Sequence, residues 1–142
     1  AKSKMWDYSI YAKNNSLYNT PPVFTIYTCL LTLRWLKKLG GLAEMEKRNK
    51  AKATLLYAEI DRNLLFKGHA AHEDRSRMNI NFITENKADE EAFLDFVKPY
   101  NIHGIKGYRT VGGFRASCYN ALPIESVEIL VKAMQDFEKS KV

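Results

Sequence analysis

The chain has 142 residues, of which 46% are hydrophobic and 27% charged, and a net charge of +6. This is the length of one ordinary domain, with enough apolar content to bury a core, which excludes a disordered or low-complexity chain. The basic balance admits a polyanion partner, but lysines and arginines are scattered beside glutamates on expected helix faces, so no nucleic-acid partner is expected.

No segment reads as a signal peptide. The longest apolar run, 22–36, is broken by Arg34 and several threonines and is too short to span a bilayer. No membrane partner is expected, and a cytoplasmic protein with Cys29 and Cys118 as reduced, buried thiols is. The chain opens on Ala1-Lys2 without an initiator methionine and reads as processed or cut from something longer.

In chain order, residues 1–20 form a polar and aromatic lead-in with about one helical turn, and Asn14-Asn15-Ser16 is turn chemistry. In Asn19-Thr20-Pro21-Pro22, proline suits the first turn of a helix and Thr20 suits its cap. A helix is therefore predicted from Pro21 or Pro22 to about Leu39, stopped by Gly40-Gly41. Its apolar residues go nearly all round, so it is expected to be buried on most sides, against its own domain and another domain or subunit.

An amphipathic helix follows from Leu42 to about Asp61, with Leu42, Met45, Leu56 and Ile60 on the buried stripe and an i,i+4 pair from Glu46 to Lys50. A short strand at 64–67, a polar loop at 69–76 and an alternating strand at 77–84 come next. A helix at 89–99 buries Phe93, Phe96 and Val97. Two further strands, 102–106 and 113–119, are joined by a glycine-rich loop. Pro123 opens a last helix to about Lys139, with Val127, Leu130, Val131, Met134 and Phe137 inward. The economical packing is α+β: a small, mostly antiparallel sheet covered by helices, preceded by the long apolar helix.

Candidate chemistry concentrates between Lys106 and Asn120. Gly107, Gly112 and Gly113 permit tight turns, and from Gly113 onward Phe114, Ala116 and Cys118 alternate with Arg115, Ser117 and Tyr119. Arg115 then stands on the open face. No acid occurs between Asp95 and Glu125, so Lys106, Arg109 and Arg115 lack a partner nearby in sequence. Two readings stay open here: a carboxylate or phosphate site, or a hairpin whose arginines are solvated or pair with distant acids. Asn19 and Thr20 at a helix start are a second candidate for an anion, beside the plainer reading of an N-cap. His69, His72, Glu73 and Asp74 fit no standard metal spacing and read as a solvated loop, so no metal is expected. His103 reads as a packed histidine on a short strand. No P-loop, dinucleotide fingerprint or nucleophile triad is present.

Three ordered motifs, Asn19-Thr20-Pro21-Pro22, Asp74-Arg75-Ser76-Arg77-Met78-Asn79 and Lys106 to Asn120, together resemble the phosphoserine aminotransferase family, whose members depend on vitamin B6. Trp35-Leu36-Lys37, Gly40-Gly41 and Asn49 to Asp61 extend the resemblance over the chain from about Met5. It implies the small C-terminal domain of a fold type I aminotransferase, 21–142, including the helix leading into it, with the lead-in 1–20 carrying the cofactor-phosphate motif. It also implies pyridoxal 5'-phosphate, a homodimer, contact with the chain's own large domain, and transfer of an amino group between glutamate and 3-phosphohydroxypyruvate, with a related phosphorylated intermediate of pyridoxine synthesis as a further substrate.

Residue by residue, Asn19 and Thr20 match the pair that reaches the cofactor phosphate of the other subunit. Arg115 matches the arginine that holds the substrate α-carboxylate, and Arg109 a basic residue near the substrate phosphate. Tyr108 stands where many members have histidine; it keeps a hydrogen-bond donor but adds no positive charge. The Schiff-base lysine and the groups that tune the cofactor ring belong to the large domain and have no counterpart here. The implied activity is therefore that of the whole subunit, not of this chain alone. The alternative from composition is a basic α+β module for RNA or another polyanion.

Overall fold

A computed structural model describes residues 3–141. The chain divides into two compact units, Ala1–Leu42 and Ala43–Val142. In the first, a 3-10 turn at Lys4–Trp6 precedes α1, Tyr8–Lys13. Asp7 caps α1 by accepting from the Ser9 N–H at 3.1 Å. The Asn14-Asn15-Ser16 turn is real, with Asn15 and Ser16 both at positive φ, 52° and 63°, a conformation Asn tolerates better than most residues.

Helix α2 spans Val23–Lys38, and its N-cap is Pro22 with no side-chain hydrogen bond. The expected Thr20 cap is thus corrected. Both prolines stay outside the helix, and a residue three positions before the first helical one is too far upstream to reach the free amides. The stop at Gly40 holds, at φ 110°. No residue of α2 is buried within this chain; Phe24 is 83% exposed. The hydroxyls of Thr28 and Thr32 fold back to donate to the carbonyls of Phe24 and Thr28, which leaves an apolar outer surface. Cys29 lies on this surface and is exposed, so only Cys118 is a buried thiol, and burial pushes its pKa up.

The second unit is a two-layer α+β sandwich. Helix α3, Gly41–Arg62, is followed by β1, Phe66–Gly68, β2, Asn79–Thr84, α4, Lys87–Phe96, β3, Phe114–Ser117, and α5, Ile124–Lys141. The strands form an antiparallel sheet in the order β1-β2-β3. Each strand turns one side inward: Phe66; Ile80, Phe82 and Thr84; Phe114, Ala116 and Cys118. These pack with Leu56 and Ile60 of α3, Phe93 of α4 and the predicted stripe of α5. Phe66 is central, with ring centroids of Phe82, Phe93 and Phe114 at 5.7, 4.8 and 6.0 Å. With all three helices on that face, the opposite face of the sheet carries mostly polar residues, with Ile83 among them.

Four further expectations need correction. Leu42 is exposed, because it lies in the first turn of α3, before that helix meets the sheet. Phe96 is only partly buried, at the last turn of α4. Residues 102–106 form no strand: Asn101 and Gly104 take positive φ, 56° and 68°, which breaks the extended run, and one isolated bridge, Lys106 to Phe114, remains. His103 is accordingly exposed rather than packed, its ring nitrogen 2.8 Å from Asn101 Oδ1.

Candidate functional site

The polar face of the sheet follows from the alternation of the strands. In β2, Asn79 and Asn81 point away from the core; in β3, Arg115 and Ser117 do. Asn81 lies opposite Arg115 in register. The Arg115 N–H donates away from β2, to the Ile105 carbonyl at 2.8 Å, so Asn81 and Arg115 form a non-hydrogen-bonded pair, the kind whose side chains stand closest. On the other side of β2, the His69 N–H donates to the Asn81 carbonyl at 3.2 Å. This continues the β1–β2 register, in which Gly68 faces Phe82, by one residue. His69, Asn81 and Arg115 thus form one row across three strands.

Above this row the glycine-rich segment folds back. The Gly107 N–H donates to the Gly113 carbonyl at 2.8 Å, and the Val111 and Gly112 N–H groups donate to the Tyr108 carbonyl at 3.0 and 2.8 Å. The turn encloses a cavity of about 280 Å³ lined by His69, Asn79, Asn81, Tyr108 and Arg115, with Phe82 and Phe114 contributing at its base. The Asn79 Oδ1 accepts from the Tyr119 hydroxyl at 3.2 Å and from Ser117 Oγ at 3.4 Å, which directs its amide nitrogen away from them. Among the described residues, Lys106, Arg109 and Arg115 take part in no ion pair. The reading of arginines paired with distant acids is therefore not what the fold adopts; Arg115 faces the cavity with its guanidinium uncommitted.

Of the predicted residues, Arg115 and Tyr108 come together at this cavity. Arg109 is exposed in the turn next to Tyr108 and does not line it. Asn19 and Thr20 belong to the first unit and are exposed there; Asn19 Nδ2 donates to the Tyr11 hydroxyl at 3.1 Å. Sequence reading missed His69, Asn79 and Asn81. Asn79 and Asn81 carried a signal, since both occupy outward positions of the alternating strand β2; His69 carried none, because its place opposite Asn81 is set by pairing between strands.

Two buried or half-buried cations support the site from behind. Lys52 of α3 is 2% exposed, and its ammonium donates to the carbonyls of Cys118, Tyr119 and Leu122 at 3.1, 2.7 and 3.1 Å. This pins the corner after β3, and burial lowers the Lys52 pKa. Arg75 donates from Nη1 and Nη2 to the two carboxylate oxygens of Asp61 at 2.6 and 2.7 Å, with its guanidinium 4.7 Å from the Tyr57 ring centroid. Ser76 Oγ accepts from the N–H groups of Met78 and Asn79 at 3.1 Å, which turns the chain into β2. The Asp74 to Asn79 motif therefore sets where Asn79 and Asn81 begin.

Whether the residues present suit pyridoxal phosphate divides in two. Asn19 and Thr20 offer an amide and a hydroxyl suited to a phosphate. A covalent anchor has no counterpart: Lys52, the buried lysine among the described residues, spends all three ammonium hydrogens on carbonyls, and the other described lysines are exposed. No described group of three or more His, Cys, Asp or Glu is arranged to hold a metal ion, and no described helix is long and apolar enough to cross a membrane.

The phosphoserine aminotransferase of Azobacteroides pseudotrichonymphae is 60% identical over 137 residues, covering 95% of this chain and 38% of the relative. That of Bacteroides thetaiotaomicron is 58% identical over 137 residues, covering 95% of this chain and 39% of the relative. Among solved structures, the phosphoserine aminotransferase from Bacillus circulans subsp. alkalophilus superposes with a TM-score of 0.91 at 42% identity, over 99% of this chain and 39% of that one. The PLP-bound phosphoserine aminotransferase from Trichomonas vaginalis superposes with a TM-score of 0.81 at 45% identity, over 91% and 37%. The chain thus spans less than two fifths of the length of the relatives it matches. With relatives of this kind, and with basic side chains of α3 and α5 neutralised by acids, a polyanion-binding module is not favoured. The family pattern of aminotransferase class-V matches residues 1–130, and the chain belongs to that family.

Proposed function

We propose that this chain is the C-terminal, substrate-recognising part of a phosphoserine aminotransferase, a subunit that transfers an amino group between glutamate and 3-phosphohydroxypyruvate. The reading includes a related phosphorylated substrate of pyridoxine synthesis, a cytoplasmic location and a homodimer. Its parts are the lead-in 1–20 and the small domain with its linking helix, 21–142.

One observation carries it. Arg115, on a strand rather than a loop, faces a cavity lined by both polar and apolar groups and has no ionic partner among the described residues. A guanidinium held this way is suited to a planar carboxylate, which it binds through two parallel hydrogen bonds. The α-carboxylate is common to glutamate and the phosphorylated oxo acid, so one arginine serves both half-reactions. Tyr108 offers its hydroxyl to the distal end of the substrate, and Arg109, next to it in the turn, supplies positive charge there. The tight closure of 107–113 keeps these groups from wandering, which limits the ordering cost of binding. Asn19 and Thr20 hold the cofactor phosphate of the second subunit. The cofactor, when bound, supplies the electron sink for moving the amino group; its covalent anchor lies in the large domain.

The test is kinetic, in the full-length subunit that contains this chain. Arg115→Ala is expected to reduce kcat/KM for both glutamate and the phosphorylated oxo acid by about a hundredfold or more, because a charged partner of a desolvated carboxylate is lost. Arg115→Lys recovers only part, since it cannot make the paired hydrogen bonds. Unchanged turnover in Arg115→Ala would leave Arg115 a surface residue and sink the assignment.

A further inference from the structure

The row across the sheet carries one step more. His69 and Arg115 are separated by two strand spacings, which places their Cα atoms about 10 Å apart, with Asn81 between them. Both line the same cavity, on the same side of the sheet. His69 is exposed rather than packed, so its imidazole is free to turn into the cavity. It stands on the opposite side of the row from β3, the strand that carries Arg115.

Tyr108 gives the second acid of a two-ended substrate one hydroxyl, and Arg109 supplies charge from outside the cavity, so a further donor in the lining itself has a role to fill. Among the residues lining this cavity, Arg115 is the one permanent cation, Tyr108 has a neutral hydroxyl, and Asn79 and Asn81 have neutral amides. The remaining polar group is His69, whose imidazole can donate a ring N–H to an anion. The position is also built. Arg75, locked onto Asp61, packs against Gly68; a Cβ at Gly68 would come within 2.7 Å of Arg75 Nη2. The residue before His69 is thus clamped from one side while the His69 amide is fixed to Asn81 from the other.

From this geometry we infer that His69 is a further substrate-binding residue, one that meets the anionic group distal to the α-carboxylate and so selects for two-ended acids. The inference rests on the proposed transaminase reading, because it takes Arg115 as the carboxylate partner. Row length then acts as the selector: Arg115 fixes one end of the substrate and His69, with Tyr108, receives the other. Asn81 offers its amide in between.

The experiment uses the full-length enzyme loaded with pyridoxal phosphate. KM and kcat are measured for 3-phosphohydroxypyruvate and for hydroxypyruvate, which lacks the distal anion, in wild type and in His69→Ala and His69→Asn. The expected result is a rise in KM for the phosphorylated substrate of about tenfold or more in His69→Ala, as for loss of one hydrogen bond to a charged group. On this inference kcat stays within about twofold and hydroxypyruvate kinetics are unchanged. His69→Asn, which keeps a donor, falls between.

Equal KM effects on both substrates would make His69 a structural residue and overturn the inference, as would no effect on either. The second control separates this from the underlying proposal: if the wild-type enzyme turns over neither oxo acid with glutamate, the transaminase reading itself fails. If it turns over both and His69→Ala behaves as wild type, only the role of His69 does. Because His69 is exposed, the variant is expected to keep the wild-type melting temperature, which is checked on the same preparation.

Discussion

The Gly107 N–H meets the Gly113 carbonyl at 2.8 Å, and this contact closes the turn that carries Tyr108 and Arg109 over the sheet. Both glycines are obligatory for steric reasons. A Cβ on Gly107 would lie 2.0 Å from the Gly112 carbonyl oxygen; one on Gly113, where φ is 62°, would lie 2.6 Å from the Phe82 carbonyl oxygen. Gly113→Ala is therefore expected to destabilise the fold by about 2 kcal/mol or more, and Gly107→Ala to open the turn. In the full-length enzyme, Gly107→Ala should raise KM for the phosphorylated substrate while the melting temperature falls by only a few degrees. Wild-type kinetics in Gly107→Ala would mean that turn closure plays no part in binding.

The isolated chain gives a second prediction. Its one buried lysine among the described residues is sealed by three carbonyls, which leaves no poised amine. Pyridoxal phosphate added to the 142-residue chain and reduced with borohydride should give only scattered, substoichiometric adducts on surface lysines, with no glutamate-dependent turnover. A single stoichiometric adduct that maps to one lysine, with turnover by the chain alone, would overturn it.

Much of this architecture was legible in the sequence where periodicity and burial agree. Alternation at 78–83 and 113–119 gave β2 and β3 with the correct inward side, and the stripe from Val127 to Phe137 gave α5. Arg115 was legible as an open-face residue for the same reason. The failures have one physical origin: local patterns do not say what covers a surface. Residues 102–106 look extended, yet Asn101 and Gly104 turn the backbone at positive φ. Helix α2 is apolar nearly all round, yet none of its residues is buried. His69 reads in sequence as the start of a polar loop; that it continues the ladder opposite Asn81 is set by pairing between strands, which no window of sequence displays. The buried lysine is the same case, since its partners at 118, 119 and 122 are more than sixty residues away.

Lys52 gives the third prediction. Its three carbonyl partners form the corner after β3, and Asn49 Nδ2 donates to Asn120 Oδ1 in the same corner at 2.8 Å. Lys52→Met keeps the length and apolar stem of the side chain but orphans three acceptors at about 1 kcal/mol each. Release of a buried charge offsets part of this. A net loss of about 2 kcal/mol is expected, read as a lower midpoint in urea with an unchanged slope. A neutral or stabilising Lys52→Met would show that the corner holds without the ammonium.

The last prediction concerns acid. Hydrogen bonding from Arg75 holds the Asp61 carboxyl below its ordinary pKa, and the Leu64 N–H, with Arg62, does the same for Glu138. Each carboxylate has a lower pKa folded than unfolded. Between the two values the unfolded chain binds more protons, so stability falls as pH falls through that window. The contribution is fully present above the unfolded value of about 4 and disappears as pH drops through the folded value. Asp61→Asn combined with Glu138→Gln should lower the melting temperature at pH 7. The same double variant should lose less than wild type between pH 5 and pH 3, because the two groups that must take up protons are gone. Parallel curves for wild type and variant over that range would assign the acid sensitivity to other carboxylates and leave the Arg75–Asp61 pair without a measurable share.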